Sequence, residues 1–131
     1  IERLNEFIKK KSSMGKKYTA LLSGLENIQL PLVRTDYAEN IYWVYSLILD
    51  DKLSKNAEII MEKLKQCGIG TRPFFSPMHQ QPVFKKMGLF KNESFPVAEK
   101  ISQKGFYIPS GLALTNSEIN RVSKELWSIL N

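Results

Sequence analysis

Between Gly68 and Pro82 the chain reads Gly-Ile-Gly-Thr-Arg-Pro-Phe-Phe-Ser-Pro-Met-His-Gln-Gln-Pro, and this stretch holds the residue types best suited to chemistry. Arg72 is a fixed cation whose planar guanidinium suits a carboxylate or a phosphate. Phe74 and Phe75 follow it and offer an apolar wall to a sugar or a ring cofactor. His79, the only histidine, can donate to or accept from a sugar hydroxyl near neutral pH. Pro73, Pro77 and Pro82 limit the freedom of the backbone that carries them. Each residue also has a plain structural alternative. The histidine would be a loop-fixing group, the phenylalanines strand residues in a core, and the arginine a surface ion-pair partner.

Other reaction classes find little support. There is no Gly-x-x-x-x-Gly-Lys phosphate loop, no Gly-x-Ser-x-Gly elbow and no His-Glu-x-x-His zinc helix. One histidine and one cysteine do not assemble a zinc site. Asp50 and Asp51 are neighbours, and neighbours on an extended strand point to opposite faces, so they make a poor acid/base pair. As a self-contained enzyme the chain is unconvincing.

The elements that must position these residues are legible as periodicities. Leu4, Phe7, Ile8, Met14, Tyr18, Leu21, Leu22 and Leu25 recur at helical spacing and predict a long amphipathic opening helix that ends near Gly24. A sequence that begins inside such a helix, without a start methionine or a cap, reads as a piece of something longer. Asn27 to Val33 is a short apolar segment broken by Pro31. The run from Asn40 to Leu49 predicts a strand buried on both faces. Ser54 is placed to cap a helix with the stripe Ala57, Ile60, Met61, Leu64 and Cys67, and Gly68 to stop it. A second strand is expected over Ile69 to Phe75, short helices near Val83 to Met87 and from Pro96 to Gly105, and a strand from Phe106 to Ile108. Thr115 and Glu118 match a capping box that opens a last helix carrying Ile119, Val122, Leu126, Ile129 and Leu130. No repeat or linker divides the chain, so the expectation is one α/β domain with a small sheet and helices against it.

The 131 residues, 43% hydrophobic, fit one soluble globular domain. The longest apolar run, Ile41 to Leu49, is far too short to span a bilayer, and no secretory signal is visible. A single cysteine, Cys67, cannot form an internal disulfide, which points to a reducing, cytoplasmic setting; it reads as core filler rather than nucleophile. The net charge of +6 is concentrated: six basic against two acidic residues put +4 into the first seventeen positions. A lysine-rich helix without interleaved aromatic platforms reads as a solvated face before it reads as a nucleic-acid patch.

At the Arg72 segment the sequence resembles the sugar aminotransferases of the DegT/DnrJ/EryC1/StrS family, especially their perosamine synthetase branch. The similarity runs over nearly the whole chain. It begins with Glu2-Arg-Leu-Asn-Glu-Phe-Ile-Lys-Lys-Lys, Tyr18 and Leu21-Leu22, and passes through Ile41-Tyr-Trp-Val-Tyr. It ends with Pro96-Val-Ala-Glu, Ile108-Pro-Ser-Gly-Leu and Leu114-Thr-Asn-Ser-Glu-Ile. The run Thr71-Arg-Pro-Phe-Phe-Ser-Pro-Met-His is the specific part.

The resemblance implies the small C-terminal domain of a fold-type-I enzyme: an α/β (α+β type) unit spanning 1–131, with a small, mostly antiparallel sheet. Residues 1–24 would be the helix that links it to a large cofactor-binding domain. In such enzymes pyridoxal phosphate is held by a lysine of the large domain, and an amino group from glutamate passes to a keto carbon of a nucleotide-linked sugar. No lysine here stands in the Ser-Phe/Tyr and Gly-Gly context that marks the family's catalytic lysine. The resemblance therefore implies a cytoplasmic homodimer in full length, and a fragment that binds no cofactor and is inactive alone. Arg72, Phe74, Phe75, His79 and Ser110 would line the substrate side of the cleft, with Arg72 on the donor carboxylate or nucleotide diphosphate and His79 on the sugar. The opening helix would join the two domains through its apolar stripe. Two other readings stand beside this one: a free-standing basic α/β module that binds nucleic acid or another acidic partner, and a dimerisation domain of a sugar-binding regulator.

Overall fold

The apolar spacing of the first two dozen residues forms one helix, but only its second half has something to bury against. A computed structural model describes residues 2–131. In it α1 runs Leu4–Leu22, with Met14, Gly15, Tyr18 and Leu22 buried and Leu4 left 53% exposed. The helix ends just ahead of Gly24, whose φ of +88° is the left-handed stop expected there. Gly15 in mid-helix would ordinarily weaken it. Here a Cβ would lie 2.1 Å from Cγ of Tyr42, so the missing side chain is what lets that ring lie against the helix.

The strand expected from Asn40 to Leu49 forms only at its end. After β1 (Ile28–Gln29), β2 spans Tyr45–Leu49, with Tyr45, Leu47 and Leu49 buried and Ser46 and Ile48 partly covered. This is the alternation of an antiparallel strand with one well-covered face, not a strand buried on both. The cause lies just upstream. Asn40 Oδ1 accepts the Tyr42 N–H at 2.7 Å, and Tyr42 adopts a left-handed φ of 53°. Such an asparagine turn competes with extension. It sends Tyr42 into the core and leaves Ile41 and Trp43 at the surface.

Downstream, α2 spans Ala57–Gln66, and its cap is Asn56, not Ser54: Asn56 Oδ1 accepts from Ile59 N at 3.1 Å. At its other end the N–H groups of Gly68 (φ +72°) and Ile69 return to the carbonyls of Lys65 and Leu64, the glycine-terminated motif the sequence predicts. The expected strand over Ile69 to Phe75 shrinks to β3, Arg72–Pro73. A 3-10 turn (Met78–Gln80), α3 (Pro82–Lys86), α4 (Pro96–Lys104), β4 (Gly105–Ile108) and α5 (Asn116–Leu130) complete the chain. The Thr115 capping box is present with both of its hydrogen bonds.

The fold is mixed α/β, with a four-stranded sheet in the order β1-β2-β4-β3 and every neighbouring pair antiparallel. Pro73 sits on the edge strand β3, where a missing N–H costs no ladder bond. Helices α1 and α5 pack on each other, and Trp127 Nε1 donates to the Leu21 carbonyl at 2.9 Å between them. Tyr18, Tyr45, Leu47, Phe106, Leu64 and Leu126 form the centre of the core. No described helix is long and apolar enough to cross a membrane.

Candidate functional site

Antiparallel pairing sets Arg72 of β3 opposite Tyr107 of β4, and Pro73 opposite Phe106. Directly opposed residues share a sheet face, so Arg72 and Tyr107 stand together while Phe106 turns into the core. Phe74 and Phe75 continue from Arg72 and meet the same tyrosine, with ring centroids 4.5 and 6.2 Å from it. Phe74 is half-buried over Gly105, where a Cβ would clash with its ring at 2.2 Å. Phe75 is 74% exposed. Neither is the interior core residue of the structural alternative.

Two hollows meet at this point and share Val44, Arg72 and Tyr107. One, of about 480 Å³, is closed by Trp43 and the two phenylalanines. The other, of about 530 Å³, runs from Gly70 past Arg72 to Ser110. Arg72 is exposed and makes no salt bridge among the described residues, so the surface ion pair allowed by sequence is not formed. Burial pushes the Tyr107 phenol above its usual range, so it remains a neutral donor. An unpaired guanidinium beside aromatic faces is suited to a ligand that is anionic at one end and cyclic at the other.

Ser110 is held from below. Its carbonyl accepts from Lys11 Nζ, and the neighbouring Pro109 carbonyl accepts from Tyr18 Oη at 2.9 Å. Both donors belong to α1, so the opening helix fixes the loop after β4. A third hollow, of about 480 Å³, adjoins Ser110 and Trp43 and is lined by the outward residues of the same helix, Leu4, Phe7 and Ile8.

His79 lies apart from these hollows. Its side chain is only 10% exposed, and Nε2 is 2.9 Å from Glu99 Oε1 on α4. The imidazole packs on the Phe95 ring at 4.8 Å. The Phe95 N–H, and secondly His79, hold the Glu99 carboxyl below the usual carboxylate range. The structure thus gathers Arg72, Phe74 and Phe75 around one hollow and Arg72 and Ser110 around the next, with His79 in a separate clip. Cys67 is half-buried and its thiol is pushed up, first by burial and then by Glu125, which is the wrong direction for a nucleophile.

Sequence reasoning passed over Tyr107, Trp43, Lys11 and Glu99. A signal existed for Tyr107: with Phe106 and Ile108 facing inward, strand alternation turns it outward. Trp43 was hidden inside an apolar run that looked wholly buried. Lys11 and Glu99 were one lysine in a basic helix and one acid in a helix first turn, and only their tertiary partners distinguish them.

Residues 1–127 match the DegT/DnrJ/EryC1/StrS aminotransferase family. The chain is similar to the GDP-perosamine synthase of Vibrio cholerae, 27% identical over 122 residues, which are 93% of this chain and 32% of that protein. It is also 27% identical over 131 residues to the GDP-perosamine synthase of Caulobacter vibrioides, covering 99% of this chain and 34% of the relative. The chain therefore spans about a third of the length of the curated relatives it matches. Among solved structures, the aminotransferase TlmJ from Streptoalloteichus hindustanus superposes with a TM-score of 0.83 at 20% identity, over 97% of this chain and 32% of that one. That likeness carries the fold, and the match over residues 1–127 carries the descent: this chain belongs to the DegT/DnrJ/EryC1/StrS aminotransferase family.

Proposed function

We propose that this chain is the small C-terminal domain of a pyridoxal-phosphate-dependent nucleotide-sugar aminotransferase, and that its β3 face forms the substrate-side wall of the cleft. The observation that carries this reading is Arg72, a cation without an ionic partner among the described residues, set between aromatic rings in a chain of this family. Its forked donors hold the carboxylate of the amino donor, glutamate, or the diphosphate of the sugar nucleotide. Phe74 and Phe75 supply the apolar wall, Ser110 closes the far end, and His79 meets the sugar through the ring nitrogen that Glu99 does not use. The relatives named GDP-perosamine synthase favour amination of a GDP-linked keto sugar.

Pyridoxal phosphate supplies the electron sink that lets an amino group leave one carbon for another. Neither hollow beside Arg72 is lined by a lysine amine or a carboxylate, so this chain's residues do not fit it as a resident group. On this reading the rest of a cytoplasmic homodimer holds the cofactor, and residues 1–131 alone catalyse nothing. Leu4, Phe7 and Ile8 of the opening helix, with Trp43, then form the seam to the missing part.

In full-length protein, Arg72→Ala is expected to raise the KM of one substrate by about 10–100-fold, the worth of a charged hydrogen bond of ~1.5–3 kcal/mol. Half-reactions measured separately with glutamate and with the keto sugar tell which substrate it holds. If both are unchanged, the assignment fails.

A further inference from the structure

The clip that holds His79 asks why one carboxylate oxygen serves two donors. Glu99 Oε1 accepts the Phe95 N–H at 3.0 Å and stands 2.9 Å from His79 Nε2. The ring is wedged against Phe95, and its side chain is 10% exposed, so it has little room to turn over. Neutral imidazole carries one proton on one of two nitrogens, and a carboxylate oxygen can only accept. The nitrogen facing Glu99 must therefore be the protonated one. In that neutral ring Nδ1 keeps its lone pair, and it makes no hydrogen bond among the described residues. Among the described residues the one buried polar side-chain atom left without a partner is Tyr42 Oη, so Nδ1 is not sealed in the core.

We infer that Glu99 is a positioning residue: it fixes His79 as the Nε2–H tautomer and so makes Nδ1 a hydrogen-bond acceptor for a substrate hydroxyl. This rests on the reading above, in which His79 faces the sugar. It adds a direction to that contact, since the ligand group must be a donor. It also separates two properties of Glu99. What the tautomer needs is an acceptor oxygen at that point, held there by the Phe95 N–H; the negative charge is secondary.

Glutamine keeps such an oxygen, because the Phe95 N–H still demands one, whereas leucine keeps the bulk and removes it. In full-length protein Glu99→Gln is expected to leave the keto-sugar KM within about threefold, and Glu99→Leu to raise it about tenfold, the worth of one neutral hydrogen bond. The glutamate half-reaction should stay within about twofold in both. In a His79→Asn background Glu99→Leu should add nothing. Equal losses in Gln and Leu, an effect that persists without His79, or a lowered melting temperature with an unchanged KM would each overturn the inference. An unchanged keto-sugar KM in His79→Asn alone would instead remove His79 from the sugar, and with it the reading beneath. Nitrogen-15 histidine spectra of the wild-type full-length protein above neutral pH give an independent measure, with His79 assigned by its loss in His79→Asn. A proton on Nε2 is expected; a proton on Nδ1 overturns the inference whatever the variants do.

Discussion

Tyr18 and Tyr45, in the region built by α1, β2 and α5, are fully buried with rings 5.0 Å apart, and each hydroxyl has a partner. Burial pushes Tyr45 up to about 12 and Tyr18 further still, so both remain neutral donors. Around β3 the same kind of side chain is used in the opposite way: Phe75 and Trp43 are 74% and 70% exposed beside an arginine with no counter-ion among the described residues. A chain that buries aromatics so completely in one region does not leave them out in another for want of packing. The difference marks the first region as the part that folds the chain, and leaves the second as the exposed surface on which the proposed substrate wall rests.

Two phenylalanines, Phe106 on β4 and Phe75 just beyond the end of β3, put that contrast to its severest test. Phe106→Ala, at a site with no exposure, is expected to cost about 3–5 kcal/mol, whereas Phe75→Ala should cost less than about 0.5 kcal/mol. Urea unfolding followed by tryptophan fluorescence compares them directly. Comparable losses would show that Phe75 is a packing residue, and the division between the two regions would fall.

The glycines refine it at lower cost. Gly15→Ala drives a Cβ into the Tyr42 ring and is expected to destabilise by about 1–3 kcal/mol. Gly111→Ala, in the loop beyond Ser110 with nothing within 4 Å, is expected to be neutral or to gain about 0.5 kcal/mol by restricting the unfolded chain. Melting temperatures suffice to rank the pair. A loss at Gly111 equal to that at Gly15 would mean the loop is as tightly packed as the core.

How much of this was legible beforehand depends on how local each determinant is. Helix ends are written within four residues, so the Thr115–Glu118 box and the Gly68 stop were readable directly. Strand lengths were not, because they depend on partners. Asn40 to Leu49 has the composition of one long strand, yet the Asn40 turn and the pairing with β4 leave five residues in it. Residue chemistry made Arg72 and His79 conspicuous, and the family resemblance ordered them. Their settings came from register and tertiary contact: Tyr107 is a neighbour of Arg72 only because β3 and β4 pair as they do, and Glu99 meets His79 across twenty residues.

Tyr42 lies where the two regions join, with Ile41 and Trp43 facing outward on either side of it, and it gives the smallest predicted effect with the most telling sign. Its ring stacks on Tyr45 at 5.8 Å and 12° and covers Gly15, but its hydroxyl is buried without a partner among the described residues. A buried hydroxyl in that state costs ~1–3 kcal/mol relative to water, so Tyr42→Phe keeps the packing and is expected to be neutral or to stabilise by about 1 kcal/mol. Tyr45→Phe removes a hydroxyl bonded to Thr19 Oγ1 at 2.9 Å and should destabilise by about 1 kcal/mol. The two changes are chemically identical and one ring apart, so only the satisfaction of the hydroxyl separates them. Shifts of opposite sign in melting temperature would place Tyr42 at the edge of the region that satisfies its own polar groups. Equal losses would mean that the Tyr42 hydroxyl is hydrogen-bonded in solution, and that the core extends up to the wall.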